Sequence, residues 1–213
     1  MNEHPLGRLF AFLTRLLTRV NANWAGCVPD ASQRVYYANH SSHLDSVVIW
    51  SALPRALRCR TRPVAAADYW SSGFKRYLAL NVFHAILIER HADVHEGRGT
   101  VDRIVEGMDG GHSLIIFPEG TRGDGETVAP FKSGIFRLVE RCPAIELVPV
   151  YVQNANRVLP KGELIPVPFI THVTFGAPIR YRPDEGKHAF LERVRSALVD
   201  LVPDSKGSEP DAV

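Results

Sequence analysis

Residues 35–53, VYYANHSSHLDSVVIWSAL, decide the fold. Val35 to Ala38 is a short apolar run of β-branched and aromatic side chains, the composition of a buried strand. Asn39 to Ser41 is a polar turn. Ser42 to Leu53 then has the length and apolar content of a helix. The same alternation recurs along the chain. Arg62 to Ala67 reads as a strand and Tyr69 to Leu80 as a helix. Ala85 to Ile88 is a short strand, and Val101 to Met108 a helix ended by Gly110-Gly111. Ser113 to Phe117 reads as a buried strand, Lys132 to Arg141 as a helix, and Glu146 to Val152 and His172 to Phe175 as strands. A closing helix runs from about Asp184 to Leu201. Strand–helix alternation of this kind predicts an α/β fold, a single domain with a largely parallel central sheet flanked by helices. Ligands of such sheets bind beyond the carboxyl ends of the strands. His40 and the run Pro118-Glu119-Gly120-Thr121-Arg122 both follow a strand directly.

His40 and Asp45 are suited to acid–base chemistry. An imidazole takes a proton near neutral pH, and a carboxylate on its other ring nitrogen holds the ring aimed and protonated on that side. On one continuous helix the two side chains would diverge by about 140°. They meet only if His40 lies in the turn and Asp45, on the first helical turn, reaches back. A second reading of Asp45 stands beside this one, because Ser42-His43-Leu44-Asp45 also matches a capping box. A metal reading competes as well. His40, His43 and Asp45 are two imidazoles and a carboxylate within six residues, and His91 and His95 have the spacing of helix-borne ligands. The first set lacks the spacing of the common zinc-hydrolase signatures, and His91 and His95 sit amid Asp93 and Glu96 in a segment that reads as solvated, so a metal site is not expected. No Gly-x-Ser-x-Gly elbow presents a serine nucleophile.

Phe117-Pro118-Glu119-Gly120-Thr121-Arg122 ends a strand, turns at Gly120 and offers the planar donor fork of Arg122, which suits a phosphate. Phe131-Lys132-Ser133-Gly134 opens the next helix with another cation. Arg90 follows the strand-like run Ala85 to Glu89.

The chain's 213 residues suffice for one sizeable core. A net charge of +2 is too small for a bulk argument about nucleic acid, and no such partner is expected. Cys27, Cys59 and Cys142 are scattered and odd in number, which fits a reducing compartment better than a disulfide framework. No apolar stretch is long enough for a transmembrane helix. Residues 5–20, PLGRLFAFLTRLLTRV, place Leu6, Leu9, Phe10, Leu13, Leu16, Leu17 and Val20 on one arc and Arg8, Arg15 and Arg19 opposite. Such a helix lies in a membrane interface or packs on the domain's own core. The expected organisation is an amphipathic membrane-interface helix at 1–22, a catalytic domain at 23–202 and a disordered polar tail at 203–213. Between the first two motifs, Arg55, Arg58, Arg60, Arg62, Lys75 and Arg76 are interleaved with Trp70, Phe74 and Tyr77. They suit either anionic headgroups or a solvated surface.

Four blocks in order resemble the glycerolipid acyltransferase family. Asn39-His40 with Asp45 resembles its His-x4-Asp motif, and Phe117 to Arg122 resembles its Phe-Pro-Glu-Gly-Thr-Arg block. Phe131-Lys132-Ser133-Gly134 resembles its Phe-Lys-x-Gly, and Val148-Pro149-Val150 its proline-centred motif. The second motif, Gly-x-Phe-Ile-x-Arg, is matched only at Ile88 and Arg90. The resemblance implies transfer of a fatty acyl group from acyl-CoA or acyl carrier protein to the hydroxyl of a lysophospholipid, 1-acylglycerol-3-phosphate first, giving phosphatidic acid. Another lyso-lipid such as lyso-ornithine lipid is an alternative acceptor, and a metal-dependent hydrolase using His40, His43 and Asp45 an alternative activity. In the acyl-transfer reading His40 is the base and Asp45 its partner. Arg90, Glu119, Gly120, Thr121 and Arg122 bind substrate, with Glu119 orienting the acceptor or an arginine. No metal or cofactor is implied beyond the thioester co-substrate. The place implied is the cytoplasmic face of a membrane, peripherally or monotopically.

Overall fold

A computed structural model of the chain describes residues 4–70, 73–89, 99–123, 125, 127–155 and 169–203. Among these, seven strands form one sheet: β1 (Asn21–Trp24), β2 (Arg34–Ala38), β3 (Thr61–Ala66), β4 (Ile86–Ile88), β5 (Ser113–Ile116), β6 (Glu146–Gln153) and β7 (His172–Phe175). Their order is β1-β7-β6-β2-β5-β3-β4. Every neighbouring pair is parallel except β6 and β7. The helices are α1 (Pro5–Thr18), α2 (Asp45–Ala52), α3 (Arg55–Arg58), α4 (Gly73–Tyr77), α5 (Thr100–Gly107), α6 (Gly134–Arg141) and α7 (Lys187–Val199). A π-helical stretch, Leu78–Val82, continues α4. The expected α/β architecture is therefore present, with its N-terminal helix.

β2 sits mid-sheet between β6 and β5, and all five of its residues are buried. Its alternation feeds two layers. Tyr36 and Ala38 join the apolar cluster under α1, α2 and the α4–π segment; Val35 and Tyr37 join the one under α6 and α7. The Tyr37 hydroxyl donates to the Val194 carbonyl at 2.9 Å, which ties α7 to the sheet. Pro149 is tolerated inside β6 because its missing N–H falls between the Leu147–Ile179 bridge and the β7 ladder, while its carbonyl accepts from Gly176 N.

Helix α1 departs from the expected orientation. Gly7, Ala11 and Thr18 form its buried stripe, and these small residues let it lie close against α2. That stripe is rotated by roughly a third of a turn from the leucine arc. Leu6 and Phe10 consequently pack at the edge of the core, whereas Leu9, Phe12, Leu13 and Leu16 face outward. Arg15, expected on the far side, turns inward and donates to the carbonyls of Ser51 and Leu53 at 2.8 and 3.2 Å. Carbonyls at a helix C-terminus lack intrahelical donors, and a cation there answers both that need and the helix dipole. No described helix is long and apolar enough to cross a membrane.

Strand β1 has no counterpart in the sequence reading. Asn21-Ala22-Asn23-Trp24 is half exposed and weakly patterned, and becomes a strand by pairing with β7. Arg90, the pair His91 and His95, and residues 204–213 of the expected tail lie outside the described residues.

Candidate active site

The parallel ladder sets Tyr37 of β2 opposite Ile116 of β5, so the turns after these strands emerge side by side at the carboxyl edge of the sheet. His40 lies in the first turn, and Phe117 to Arg122 form the second. Asp45 is the first residue of α2 and is fully buried. Its Oδ2 lies 2.9 Å from His40 Nδ1 and also accepts the backbone N–H groups of Ser41 and Ser42, at 2.7 and 2.8 Å. The helix N-terminus favours the negative charge. The capping box forms by half. Asp45 takes the Ser42 N–H as that motif requires, whereas the Ser42 hydroxyl accepts from Leu44 N at 3.3 Å. With Nδ1–H committed to the carboxylate, the lone pair of His40 is on Nε2. The imidazole keeps 19% side-chain exposure.

Phe117 stacks on the His40 ring, with centroids 4.2 Å apart and planes 21° apart, and restricts its rotation. Asn39, 4% exposed, pairs its amide with both backbone groups of Val152, at 2.9 and 2.8 Å. The turn is thereby locked to the end of β6.

Glu119, expected to orient the acceptor or an arginine, is held among the described residues by two backbone N–H groups. It is 3% exposed; Oε1 accepts the His40 N–H at 2.8 Å and Oε2 the Ala129 N–H at 3.0 Å. Strand adjacency is the reason, since it leaves the carboxylate between two backbone segments that need acceptors. Burial raises its carboxyl above the usual range despite those two bonds. Gly123 N donates back to the His40 carbonyl at 2.8 Å, and the two loops are cross-tied.

Gly120, Thr121 and Arg122 are exposed on the outer side of this loop. Gly120 adopts φ +72°, and a Cβ there would stand 2.9 Å from Cδ of Lys132, whose stem crosses it. On the other side His43 stacks on Tyr69 at 4.0 Å and 12°, and the Lys75 ammonium lies 4.6 Å from the Tyr69 ring centre. Burial, then the charges of Arg122, His40 and Lys75, lower His43 to about 4, so it is neutral at physiological pH.

His40, Asp45 and the Glu119–Arg122 loop are thus brought together, while His43 belongs to an aromatic wall. Among the described residues no group of three or more His, Cys, Asp and Glu side chains is placed to hold a metal ion. Phe117, Tyr69 and Lys75 were given no place at this site by the sequence reading. Phe117 carried a signal in its position within the Phe-Pro-Glu-Gly-Thr-Arg block and Lys75 one in the basic stretch between the first two motifs, whereas Tyr69 carried none. An open depression of about 610 Å³ lined by Arg55, Cys59, Arg60 and His112 lies at the opposite, amino edge of the sheet, away from these groups.

Comparison with known proteins bears on the family and the fold. The model of the family described as Acyltransferase matches residues 21–153. The chain is 30% identical over 148 residues to the protein named Taffazin from Dictyostelium discoideum, covering 62% of this chain and 48% of that one. It is 25% identical over 178 residues to a 1-acyl-sn-glycerol-3-phosphate acyltransferase from Cocos nucifera, covering 82% of this chain and 56% of that one. The chain spans about half the length of these curated relatives. The crystal structure of the 1-acyl-sn-glycerophosphate acyltransferase PlsC from Thermotoga maritima has the same fold. Its TM-score is 0.71 at 15% identity, over 92% of this chain and 78% of that one.

Proposed function

Since the chain belongs to the Acyltransferase family, we propose that it moves a fatty acyl group from a thioester donor, acyl-CoA or acyl carrier protein, to the free hydroxyl of a lysophospholipid. The proposed acceptor is 1-acylglycerol-3-phosphate and the product phosphatidic acid. The observation that carries the reading is the 2.9 Å His40–Asp45 pair standing beside the Arg122 loop at adjacent strand ends.

In this mechanism Nε2 of His40 removes the acceptor's hydroxyl proton as the oxygen attacks the thioester carbonyl. The carboxylate of Asp45 stabilises the imidazolium that forms. Collapse of the tetrahedral intermediate breaks the carbon–sulfur bond, and the imidazolium returns its proton to the departing thiolate. No covalent acyl-enzyme is needed. Arg122 binds the acceptor's phosphate, with Arg90 as the proposed second cation, and holds the hydroxyl beside His40. Gly120 and Thr121 complete the phosphate loop. Glu119 acts through the His40 backbone as a positioning residue. The enzyme works at the cytoplasmic face of a membrane, held peripherally by the outward leucines of α1.

Purified protein incubated with a thioester donor and lysophosphatidic acid should form phosphatidic acid, and a folded His40→Ala protein should not. Transfer at the wild-type rate by His40→Ala would refute the proposed base. Similarity to two differently named relatives makes a panel of lyso-lipids, lyso-ornithine lipid included, the way to identify the acceptor.

A further inference from the structure

We propose that α4 is a second membrane-inserting element, which presses the rim of the site onto an anionic lipid surface; this extends the reading of the site as a lipid acyltransferase. Every residue of α4 is exposed, and none of its side chains is buried. Phe74 and Tyr77 are 65% and 42% exposed and lie with near-parallel rings, 13° apart, on the outside of the protein. Between them stand Lys75 and Arg76. Two exposed aromatic rings beside two cations, on an element with no buried side chain, suit a surface with apolar depth beneath a negatively charged layer.

The π-helical stretch that follows explains how the element is held. Leu78, Ala79 and Val82 are buried, and Phe83 beyond them packs edge-on against Trp50 and Trp70. The outward aromatics are therefore mounted on a rigid foot. Gly73, at the start of α4, is in the left-handed region at φ +60° with open space around it.

Two observations select a lipid surface rather than an acidic protein. The first is continuity. Phe10 of α1 contacts Phe83 at 6.0 Å, and α1 and the α4–π segment pack by their inner sides on the same apolar cluster, over the same face of the sheet. Their outer sides therefore leave the protein on one side. Leu9, Phe12, Leu13 and Leu16 of α1 are exposed, as Phe74 and Tyr77 are on α4. An area this apolar is unlike the polar rim of a transient protein contact. The second is position. α4 begins beyond the carboxyl end of β3, and Lys75 rests on Tyr69, which stacks on His43 of the first motif. Insertion of Phe74 and Tyr77 would bring that aromatic wall to the level of the headgroups, so that a lysolipid slides from the bilayer past Tyr69 with its phosphate toward Arg122. A single anchor at α1 leaves the protein free to tilt about that helix, and a second contact at α4 fixes the tilt.

The test is sedimentation of the full chain with vesicles of phosphatidylcholine alone or with phosphatidylglycerol added. Wild type should bind the mixed vesicles and bind the neutral ones more weakly. Phe74→Ser/Tyr77→Ser, which alters no buried side chain, should bind about tenfold more weakly or worse at an unchanged melting temperature. Arg76→Glu should reduce the preference for anionic vesicles. A double variant that binds vesicles as wild type does overturns the proposal. So does one that keeps vesicle binding and loses binding to acyl carrier protein, which would make α4 a protein-docking element. Absence of acyl transfer with every donor and acceptor would defeat the catalytic reading, yet leave the vesicle result to be read on its own.

Discussion

Asp45→Asn separates the electrostatic from the structural work of the buried carboxylate. An asparagine in the Asp45 rotamer can put its carbonyl oxygen where Oδ2 lies, so that His40 Nδ1, Ser41 N and Ser42 N all keep an acceptor. Its amide then takes the place of Oδ1, a buried atom without a hydrogen-bond partner among the described residues. The geometry is nearly conserved and the charge is gone. An imidazolium and a carboxylate whose charge centres are about 4 Å apart attract by about 4 kcal/mol at an effective dielectric constant near 20. That attraction exists only when His40 is protonated, hence in the transition state and not in the resting pair. Its loss should lower kcat by about three powers of ten. The backbone bonds from Ser41 and Ser42 become neutral instead of charge-assisted, which costs about 1–3 kcal/mol of stability, partly offset because a charge no longer has to be buried. A fall of a few degrees in Tm is expected at this chain length, about 2–4 °C per kcal/mol. Continuous detection of the released thiol, with the folded fraction followed by circular dichroism, measures both. A fully folded Asp45→Asn protein that retains more than about a tenth of the wild-type kcat would refute the electrostatic argument.

Glu119→Gln supplies one acceptor where two N–H donors, His40 and Ala129, now share a carboxylate. One donor is stranded, and a loss of about 1–3 kcal/mol is expected in urea denaturation, less whatever the removed buried charge returns. An unchanged midpoint would contradict the strut role. Gly120→Ala combines a φ of +72° with a 2.9 Å approach to Lys132. It should cost about 1–2 kcal/mol and raise KM for a phosphate-bearing acceptor while leaving KM for the donor alone, which steady-state kinetics would show. His43 is lowered to about 4 by burial and the nearby cations. The unfolded imidazole binds a proton below its ordinary value, near 6.5, and the folded one does not until about 4. Its contribution to stability is therefore full above 6.5 and declines as pH falls toward 4, by about 1 kcal/mol once solvent screening is allowed for. His43→Gln should flatten that part of the Tm–pH curve; parallel curves for the two proteins would contradict this.

What was legible in the sequence was local. The β2–α2 unit follows from the apolar run Val35 to Ala38 and the helix-forming stretch after it, and the five-residue spacing allows His40 and Asp45 to meet across one turn. The bond from His40 N to Glu119, 79 residues away, was not legible in the sequence. That contact exists only because β5 lies beside β2 in the sheet, out of chain order, and no periodicity reports strand order. Arg15 was misplaced for a related reason. The leucine arc was the strongest pattern in α1, but close approach to α2 requires small residues, and the stripe Gly7, Ala11 and Thr18 won the interface. The strand at Asn21–Trp24 has no intrinsic strand signal and takes its conformation from β7.

Burial divides the motif residues into two populations with different chemistry. Asn39, Asp45 and Glu119 are almost inaccessible, and their recorded partners are protein groups, chiefly backbone N–H and C=O groups at the ends of strands and helices. Gly120, Thr121 and Arg122 face outward, and His40 lies between, with one nitrogen held by the protein and the other available. A substitution in the first population should appear in stability before it appears in KM, because the substrate never meets those atoms. A substitution at Thr121 or Arg122 should move KM or kcat at constant Tm, whereas Gly120→Ala also strains its backbone. Asp45 alone belongs to both, since its oxygen ties two backbone amides and its charge meets the imidazolium. The Asp45→Asn protein is for that reason the sharpest probe: only at this residue does the structure allow the bonds to be kept while the charge is removed.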